Sequence, residues 1–193
     1  YDEAYAYALE YAKTHNLQFI HPFADEEVIA GQGTVALEMI EAQSHLTSIV
    51  VPIGGGGLIS GIAAAYKQML PSVRIIGVVA EGAPGMYHSY HKKEIQSTDS
   101  VRTIADGIAV RDVNPKNFEY ILESVDEVVM VDDEEIANAV LYLLENQKLV
   151  VEGAGASVVA AVLHHKFALQ TNESLGLVLS GGNIDVTMLG NIM

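Results

Sequence analysis

Residues 48–67 read SIVVPIGGGGLISGIAAAYK, and this stretch decides the fold. A β-branched apolar run stops at four consecutive glycines, and an alanine-rich run that favours helix follows at once. This order predicts a strand, a tight loop and the first turn of a helix. Glycine lacks a Cβ, so a ligand can approach its backbone closely, and the N–H groups at a helix start attract anions. The stretch therefore predicts a loop that binds a phosphate group.

Three kinds of phosphate site compete for this loop. The loop of nucleoside triphosphatases needs a Lys-Ser or Lys-Thr pair after its glycines, and none follows here. The dinucleotide fingerprint G-x-G-x-x-G would need a glycine at Ile59 or Ser60, although Glu81 ends the next predicted strand, where a ribose-binding acid would lie. A phosphate monoester held by backbone N–H groups needs no side chain, and four glycines favour this third kind of site. A flexible linker is disfavoured, because linkers are polar and this run lies between two apolar elements.

Composition narrows the class of protein. The chain has 193 residues, half of them hydrophobic, which is enough for a sheet buried on both faces. Its net charge of −15 argues against nucleic acids and anionic membranes as partners. It contains no cysteine and no apolar run long enough to span a membrane, so we expect a cytoplasmic protein without disulfides. Residue 1 is tyrosine and opens within a helical pattern, so we expect a piece of a longer protein.

Apolar periodicity and turn residues predict that strands and helices alternate along the chain. The predicted helices cover residues 2–15, 25–43, 58–70, 115–124, 132–148 and 154–169. The predicted strands cover residues 18–21, 47–53, 73–80, 127–131 and 175–179. The alternation predicts an α/β fold with a doubly wound parallel sheet. Residues 81–113 are polar and too long for an ordinary connection, which indicates a functional segment or the cover of a site.

Four segments, in this order and at these spacings, resemble a known family: VPIGGGGLISGIAAAYK, TIADGIAV, VVEGAGASVVAAVL and LSGGNID. The upstream segment HPFADEEVIAGQGTVALEMIE matches as well. Together they are similar to the catalytic core of the threonine dehydratases, which are pyridoxal-phosphate enzymes with the tryptophan-synthase-β fold. The resemblance covers nearly the whole chain, and serine dehydratases and serine racemases share most of these segments.

The resemblance implies a reaction, a cofactor and a domain division. The full-length protein would use pyridoxal 5′-phosphate to deaminate threonine, and serine as well, to 2-oxobutanoate or pyruvate and ammonia by β-elimination of water. Residues 1–24 would be the remnant of a small domain, and residues 25–193 a large cofactor-binding domain that is incomplete at its N-terminal side. The partners would be a small amino-acid substrate and further copies of the protein, in a dimer or tetramer. The alternatives are a serine racemase or serine dehydratase, a dinucleotide-binding module and an inactive interaction domain.

The resemblance also implies eight cofactor-binding residues. Five would surround the phosphate, two would lie beside the ring, and a serine would hydrogen-bond the pyridine nitrogen. In that order they are Gly54, Gly55, Gly56, Gly57 and Leu58 for the phosphate, Gly107 and Glu152 beside the ring, and Ser180 at the nitrogen. Judged without the family, Ser180 could equally be a turn residue, and Glu152 could equally cap the following helix.

Two of the family's segments are missing from this sequence. The family's Schiff-base lysine lies in an S-F-K-x-R-G-type segment, and none of the seven lysines here has that context. The family's Ser-x-Gly-Asn-His segment is absent as well. We therefore expect the catalytic lysine upstream of Tyr1 and no catalytic residue in this chain, which should be inactive alone.

No divalent metal site is expected. Serine racemase relatives bind a cation through a Glu, a carbonyl group four residues later and an Asp six residues later. Glu81 and Gly85 match the first two positions, but Tyr87 replaces the carboxylate that a hard cation prefers. His88 and His91 could share a helix face, but two histidines without a third ligand usually belong to a solvated surface.

Overall fold

The computed structural model describes residues 2–193, with side chains from Glu3 onward. The helices of this part are α1 (Asp2–Thr14), α2 (Glu26–Ala42), α3 (Gly57–Met69), α4 (Gly85–Lys92), α5 (Pro115–Ser124), α6 (Asp133–Tyr142), α7 (Gly153–Leu163) and α8 (Val186–Ile192). The strands are β1 (Ser48–Pro52), β2 (Arg74–Ala80), β3 (Glu127–Val131) and β4 (Leu175–Leu177). A 3₁₀ turn covers Asp106–Ile108, and a π-helical turn covers Leu143–Gln147.

The four strands form one parallel sheet in the order β3-β2-β1-β4. The chain moves outward from β1 to β2 and β3, and it then returns to place β4 on the other side of β1. The predicted doubly wound parallel sheet is therefore confirmed. The strand order reverses between β1 and β4, and open α/β sheets bind their ligands at such a point, beyond the carboxyl ends of the strands.

Side chains of the central strand β1 alternate between two hydrophobic cores, one on each face of the sheet. Ile49 and Val51 pack on the face that is covered by α2, α3 and α5. Val50 belongs to the core on the opposite face, which also contains Ile136 of α6 and Ala156 of α7. All five residues of β1 are buried. Burial on both faces explains why this strand reads as a continuous apolar run rather than as an alternating one.

The contact between α2 and α3 is made through glycines. A Cβ on Gly33 of α2 would lie 3.2 Å from the carbonyl oxygen of Gly61 of α3. A Cβ on Gly61 would lie 2.7 Å from the backbone nitrogen of Gly33 and would also overlap the Ile29 carbonyl. The two helices thus pack backbone to backbone, which holds α3, and the loop before it, close to the start of α2.

The predicted strand at residues 18–21 is wrong. No described strand runs beside these residues, so their backbone has no ladder to join. Phe19 instead packs edge-on against Tyr5, with the two ring centroids 5.5 Å apart. The strand β4 is shorter than predicted, although the Val178 N–H still donates to the Val50 carbonyl at 3.0 Å and keeps the chain beside β1.

The helices agree with the predicted pattern except near their ends. The helix predicted for residues 154–169 ends at Leu163, because His165 adopts a left-handed backbone with a φ of 52°. The helix predicted for residues 132–148 divides into α6 and the π-helical turn. The sequence patterns predict neither α4, which lies within the polar segment, nor α8, which Asp185 caps.

A polar cluster closes the amino end of the sheet. The buried Glu173 carboxylate accepts a hydrogen bond from the Ser48 hydroxyl and another, of 2.7 Å, from the Gln170 N–H. Arg74 lies between this carboxylate, at 3.6 Å, and that of Glu127. Burial alone would raise the pKa of Glu173, but the hydrogen bonds and the charge of Arg74 outweigh burial and lower it. The cluster thus links the first residues of β1, β2 and β3 to the segment before β4.

We expect Glu173→Gln to lower the free energy of unfolding by ~1–3 kcal/mol at neutral pH, because hydrogen bonds to a buried charge are lost. The folded-state pKa of Glu173 lies below the ordinary value of about 4.3. The contribution of the ionised Glu173 to the free energy of unfolding is therefore complete above the ordinary value and disappears as the pH falls through the folded pKa. Urea denaturation at a series of pH values should show that the difference in free energy of unfolding between Glu173→Gln and wild type becomes smaller from neutral to acid pH.

The matched control is Glu127→Gln, which removes the other carboxylate beside Arg74. Its side chain is 34% exposed, against 4% for Glu173, so solvent screens its ion pair and the change should be smaller. A Glu173→Gln difference that stays constant across the pH range would contradict this reading of the cluster.

Candidate active site

A cavity of about 470 Å³ opens at the carboxyl ends of β1 and β4. All eight residues predicted to bind the cofactor line it, which brings together segments that are far apart in the chain. They are Gly54, Gly55, Gly56, Gly57, Leu58, Gly107, Glu152 and Ser180. A volume of this size is typical of small-molecule sites.

The glycine loop presents unpaired donors at the start of α3. Within residues 2–193, no protein atom accepts a hydrogen bond from the N–H groups of residues 54–57. Gly56, at the N-cap position of α3, has a φ of 89°, which side chains disfavour, and Gly56 and Gly57 are both buried. Buried N–H groups rarely lack a partner in folded proteins, so the loop is suited to an anion.

The segment before α2 covers the glycine loop. A Cβ on Gly57 would lie 2.7 Å from the carbonyl oxygen of Phe23, so only glycine permits this approach. Nδ1 of His21 accepts hydrogen bonds from the backbone N–H groups of Phe23 and Ala24, at 3.3 and 3.1 Å. Burial lowers the pKa of His21, against a smaller opposite effect of Asp25, so the ring is neutral at pH 7 and its Nδ1 is free to accept.

Asn117 of α5 connects this covering segment to the loop. Its side-chain amide donates to the carbonyl oxygens of Gly55, at 2.6 Å, and Phe23, at 2.8 Å. Neither Asn117 nor Phe23 was among the predicted site residues. Local sequence contains no signal for either of them, because Asn117 lies 62 and 94 residues along the chain from its two partners.

Glu152 occupies the N-cap position of α7, but its side chain does not cap the helix. One carboxylate oxygen instead accepts the N–H of Asn183 at 3.2 Å, and the Glu152 N–H donates to the Gly181 carbonyl at 3.1 Å. A Cβ on Gly107 would lie 3.3 Å from the other carboxylate oxygen. The capping interpretation of this side chain is therefore wrong, and the carboxylate lies between Gly107 and the segment after β4.

Ser180 follows β4 by three residues and is exposed at the edge of the cavity. Its hydroxyl makes no hydrogen bond within residues 2–193, so it can bond to a ligand. A Cβ on Gly155 of α7 would lie 3.1 Å from the Ser180 backbone nitrogen, so α7 supports this turn closely. The structure thus places Ser180 and the glycine loop on the same cavity, as neighbours at the point where the strand order reverses.

Residues 2–193 lack two further features. No group of three or more histidine, aspartate or glutamate side chains there is arranged to hold a metal ion. None of the helices in the same range combines the length and apolar character that crossing a bilayer requires.

Comparison with known proteins identifies the family. Residues 1–181 match the family described as pyridoxal-phosphate dependent enzyme. The chain belongs to this family. An L-threonine ammonia-lyase from Thermotoga maritima is 47% identical over 193 residues, which is all of this chain and 48% of that protein. The chain thus spans about half the length of the curated relatives it matches.

Two solved structures have the same fold. The processed form of threonine deaminase isoform 2 from Solanum lycopersicum matches with a TM-score of 0.90 at 33% identity, over 97% of this chain and 52% of that one. Maize serine racemase matches with a TM-score of 0.88 at 36% identity, over 93% of this chain and 57% of that one. The expected resemblance to the threonine dehydratases, and the family's cofactor, are confirmed.

The residues present fit pyridoxal phosphate. The N–H groups of residues 54–57 have no acceptor within residues 2–193 and are donors of the kind that a phosphate needs, and the α3 dipole adds positive potential at the same point. The exposed hydroxyl of Ser180 supplies a separate polar group on the same cavity. Backbone donors leave the loop uncharged, so the phosphate would be held without a lysine or arginine side chain.

We expect Gly56→Ala to raise the dissociation constant for pyridoxal phosphate about tenfold or more. Alanine disfavours the positive φ of this position, so the loop would shift and lose a charge-assisted bond to the phosphate. The apo form should lose ~1–3 kcal/mol of stability from the same strain. Titration of apo protein with pyridoxal phosphate, beside thermal melting, measures both.

Gly31→Ala is the matched control for this substitution. Nothing lies within 4 Å of a Cβ at Gly31, in the interior of α2, so alanine should stabilise that helix by up to ~1 kcal/mol. Its cofactor affinity should equal that of wild type. Wild-type affinity in Gly56→Ala would mean that the phosphate binds elsewhere.

Proposed function

We propose that the full-length protein that carries this chain is an ammonia-lyase that deaminates L-threonine, and L-serine as well, with pyridoxal 5′-phosphate. The products would be 2-oxobutanoate or pyruvate, together with ammonia, after elimination of water between the α- and β-carbons. The observation that carries the proposal is the cavity on which the glycine loop and Ser180 lie together. Support comes from the identities of 47% to a protein named L-threonine ammonia-lyase and 39% to a catabolic L-threonine dehydratase from Staphylococcus aureus.

Each part of the cavity has a role in this proposal. The N–H groups of residues 54–57, with Leu58 at the start of α3, would bind the cofactor phosphate. Gly107 and Glu152 would lie beside the ring, and the hydroxyl of Ser180 would hydrogen-bond the pyridine nitrogen. When bound, the cofactor would supply an electron sink for the electron pair left on the α-carbon.

The choice of a hydroxyl at position 180 suits elimination. A serine hydroxyl can donate to an unprotonated ring nitrogen or accept from a protonated one, so it does not force the nitrogen to carry a proton. A carboxylate there would favour the protonated ring, because a nearby negative charge stabilises a positive one. Elimination of a β-hydroxyl needs less electron withdrawal than transamination does, so the weaker partner is sufficient.

The base that removes the α-proton is assigned to a lysine upstream of Tyr1. Among residues 2–193, no lysine lines the cavity. Two of the lysines pair with carboxylates elsewhere: Lys67 with Asp126 at 2.8 Å, and Lys166 with Glu135 at 2.6 Å. This chain alone would therefore bind the cofactor's phosphate without catalysing the reaction.

The domain division is part of the same proposal. Residues 1–24 are assigned to a small domain and residues 25–193 to the large cofactor-binding domain. In support, Tyr5 of α1 packs on His21, with ring centroids 5.5 Å apart. Tyr7 and Leu17 are 67% and 57% exposed, which is expected of apolar side chains that are covered by the rest of a small domain in the full-length protein. The protein is further proposed to be cytoplasmic and to assemble as a dimer or tetramer.

We expect the full-length protein to release 2-oxobutanoate from L-threonine, and Ser180→Asp to lower kcat about tenfold or more. The added carboxylate would change the protonation of the ring nitrogen, while the phosphate would still be held by the loop, so cofactor affinity should change little. A coupled assay for 2-oxo acids measures kcat, and absorbance titration measures cofactor binding.

Ser72→Asp is the matched control, because it makes the same chemical change at an exposed position at the opposite end of the sheet. Its kcat should equal that of wild type. Unchanged turnover in Ser180→Asp would remove Ser180 from the proposed site. D-Serine formed from L-serine, with no 2-oxo acid from L-threonine, would favour a racemase instead.

A further inference from the structure

Asn117 is a neighbour of the site, and its polar side chain is wholly enclosed by the described protein. Its relative exposure is 0%, and both of its amide hydrogens are used, one for the Gly55 carbonyl and one for the Phe23 carbonyl. Both partners are carbonyl oxygens, which only accept, so the NH₂ group must face them and the orientation of the amide is settled.

Burial of the Asn117 amide has an energetic cost. The Asn117 Oδ1 atom is buried and has no hydrogen-bond partner within residues 2–193. A buried acceptor without a donor is unfavourable, and an apolar side chain of similar size would avoid it. What asparagine adds at this position is therefore its pair of donated bonds, and those bonds end on the glycine loop and on the segment that covers it.

The bond to Gly55 fixes the direction of a donor in the loop. In a planar trans peptide, the carbonyl of residue 55 and the N–H of residue 56 point in opposite directions. Asn117 holds the Gly55 oxygen at 2.6 Å, toward α5, so the Gly56 N–H is turned away from α5. Asn117 does not line the cavity, whereas Gly55 and Gly56 do, so the N–H is turned to the cavity side.

We propose that Asn117 is a positioning residue for phosphate binding, an inference that rests on the function proposed above. By holding the Gly55 carbonyl, it keeps that peptide from rotating and presenting its negative oxygen to the phosphate. By holding the Phe23 carbonyl, it also keeps the covering segment against Gly57, where the backbones lie too close for any side chain. One buried amide thereby fixes both the direction of an N–H donor in the loop and the position of the segment that covers the loop.

The test compares two positions on α5 in the full-length apo protein. Asn117→Ala removes both donated bonds, and Asn117→Ser keeps a hydroxyl that can donate to a carbonyl. The matched control is Asn114→Ala: the Asn114 side chain caps α5 by accepting from the N–H groups of Lys116 and Asn117, so its loss weakens the helix without removing a bond to the loop. The readouts are thermal melting of the apo protein, the dissociation constant for pyridoxal phosphate, and the ³¹P signal of the bound phosphate.

Asn117→Ala is expected to raise the dissociation constant about tenfold or more and to shift the ³¹P signal, with Asn117→Ser in between. Asn114→Ala is expected to lower the apo melting temperature while leaving the dissociation constant within about twofold of wild type. Where Asn117→Ala does not fold, a raised dissociation constant in Asn117→Ser at an apo melting temperature no lower than that of Asn114→Ala supports the proposal equally.

Two results would overturn the inference. Wild-type affinity and ³¹P signal in the Asn117 variants would show that the loop needs no such support. Losses of affinity that simply follow melting temperature at both positions would show that Asn117 only stabilises α5. Failure of the wild-type protein itself to bind pyridoxal phosphate is a different result, and it would remove the proposed function first.

Discussion

The parallel pairing of β1 with β2 on one side and β4 on the other is the constraint on which the rest of the structure depends. Ser48 at the start of β1 is in register with Arg74 and with Leu175, so all three strands run the same way from a common edge. Their carboxyl ends therefore meet, and whatever follows β1 and β4 must share one crevice. Parallel strands also need long crossovers, which place helices, and hence apolar cores, on both faces of the sheet.

The cavity that results is built largely from backbone. Its anion-binding potential comes from N–H groups that lack acceptors in the described part of the chain, and the shape around them depends on how closely neighbouring backbones approach. A site of this kind contains few side chains whose removal would abolish it, so the side chains that matter are those that hold the backbone still. His21, Asn117 and Glu152 act in this way, each through hydrogen bonds to backbone groups of segments at the cavity. The bonds of Asn117, whose side chain is wholly buried, are shielded from water and so are stronger than those at the surface.

Local physical signals predicted much of the fold and the glycine loop, and the family resemblance implied the other lining residues, but neither predicted the contacts between segments. The strand predicted before Gly54 and the helix predicted for residues 115–124 agree closely with β1 and α5, because strand, turn and helix preferences act over a few residues. The strand at residues 18–21 was predicted wrongly, since a strand also needs a neighbour that no local pattern shows. Asn117 was missed for the same reason, because its partners are brought to it only by the assembled sheet.

The central claim is that backbone N–H groups of residues 54–57 hold the phosphate of pyridoxal phosphate. The most direct measurement is a crystal structure of the full-length protein with the cofactor bound. The account predicts phosphate oxygens about 2.7–3.2 Å from the backbone nitrogens of this loop, with the Ser180 hydroxyl within the same range of the pyridine nitrogen. A phosphate bound outside the loop, or held there by lysine or arginine side chains while the glycine N–H groups face away, would contradict it.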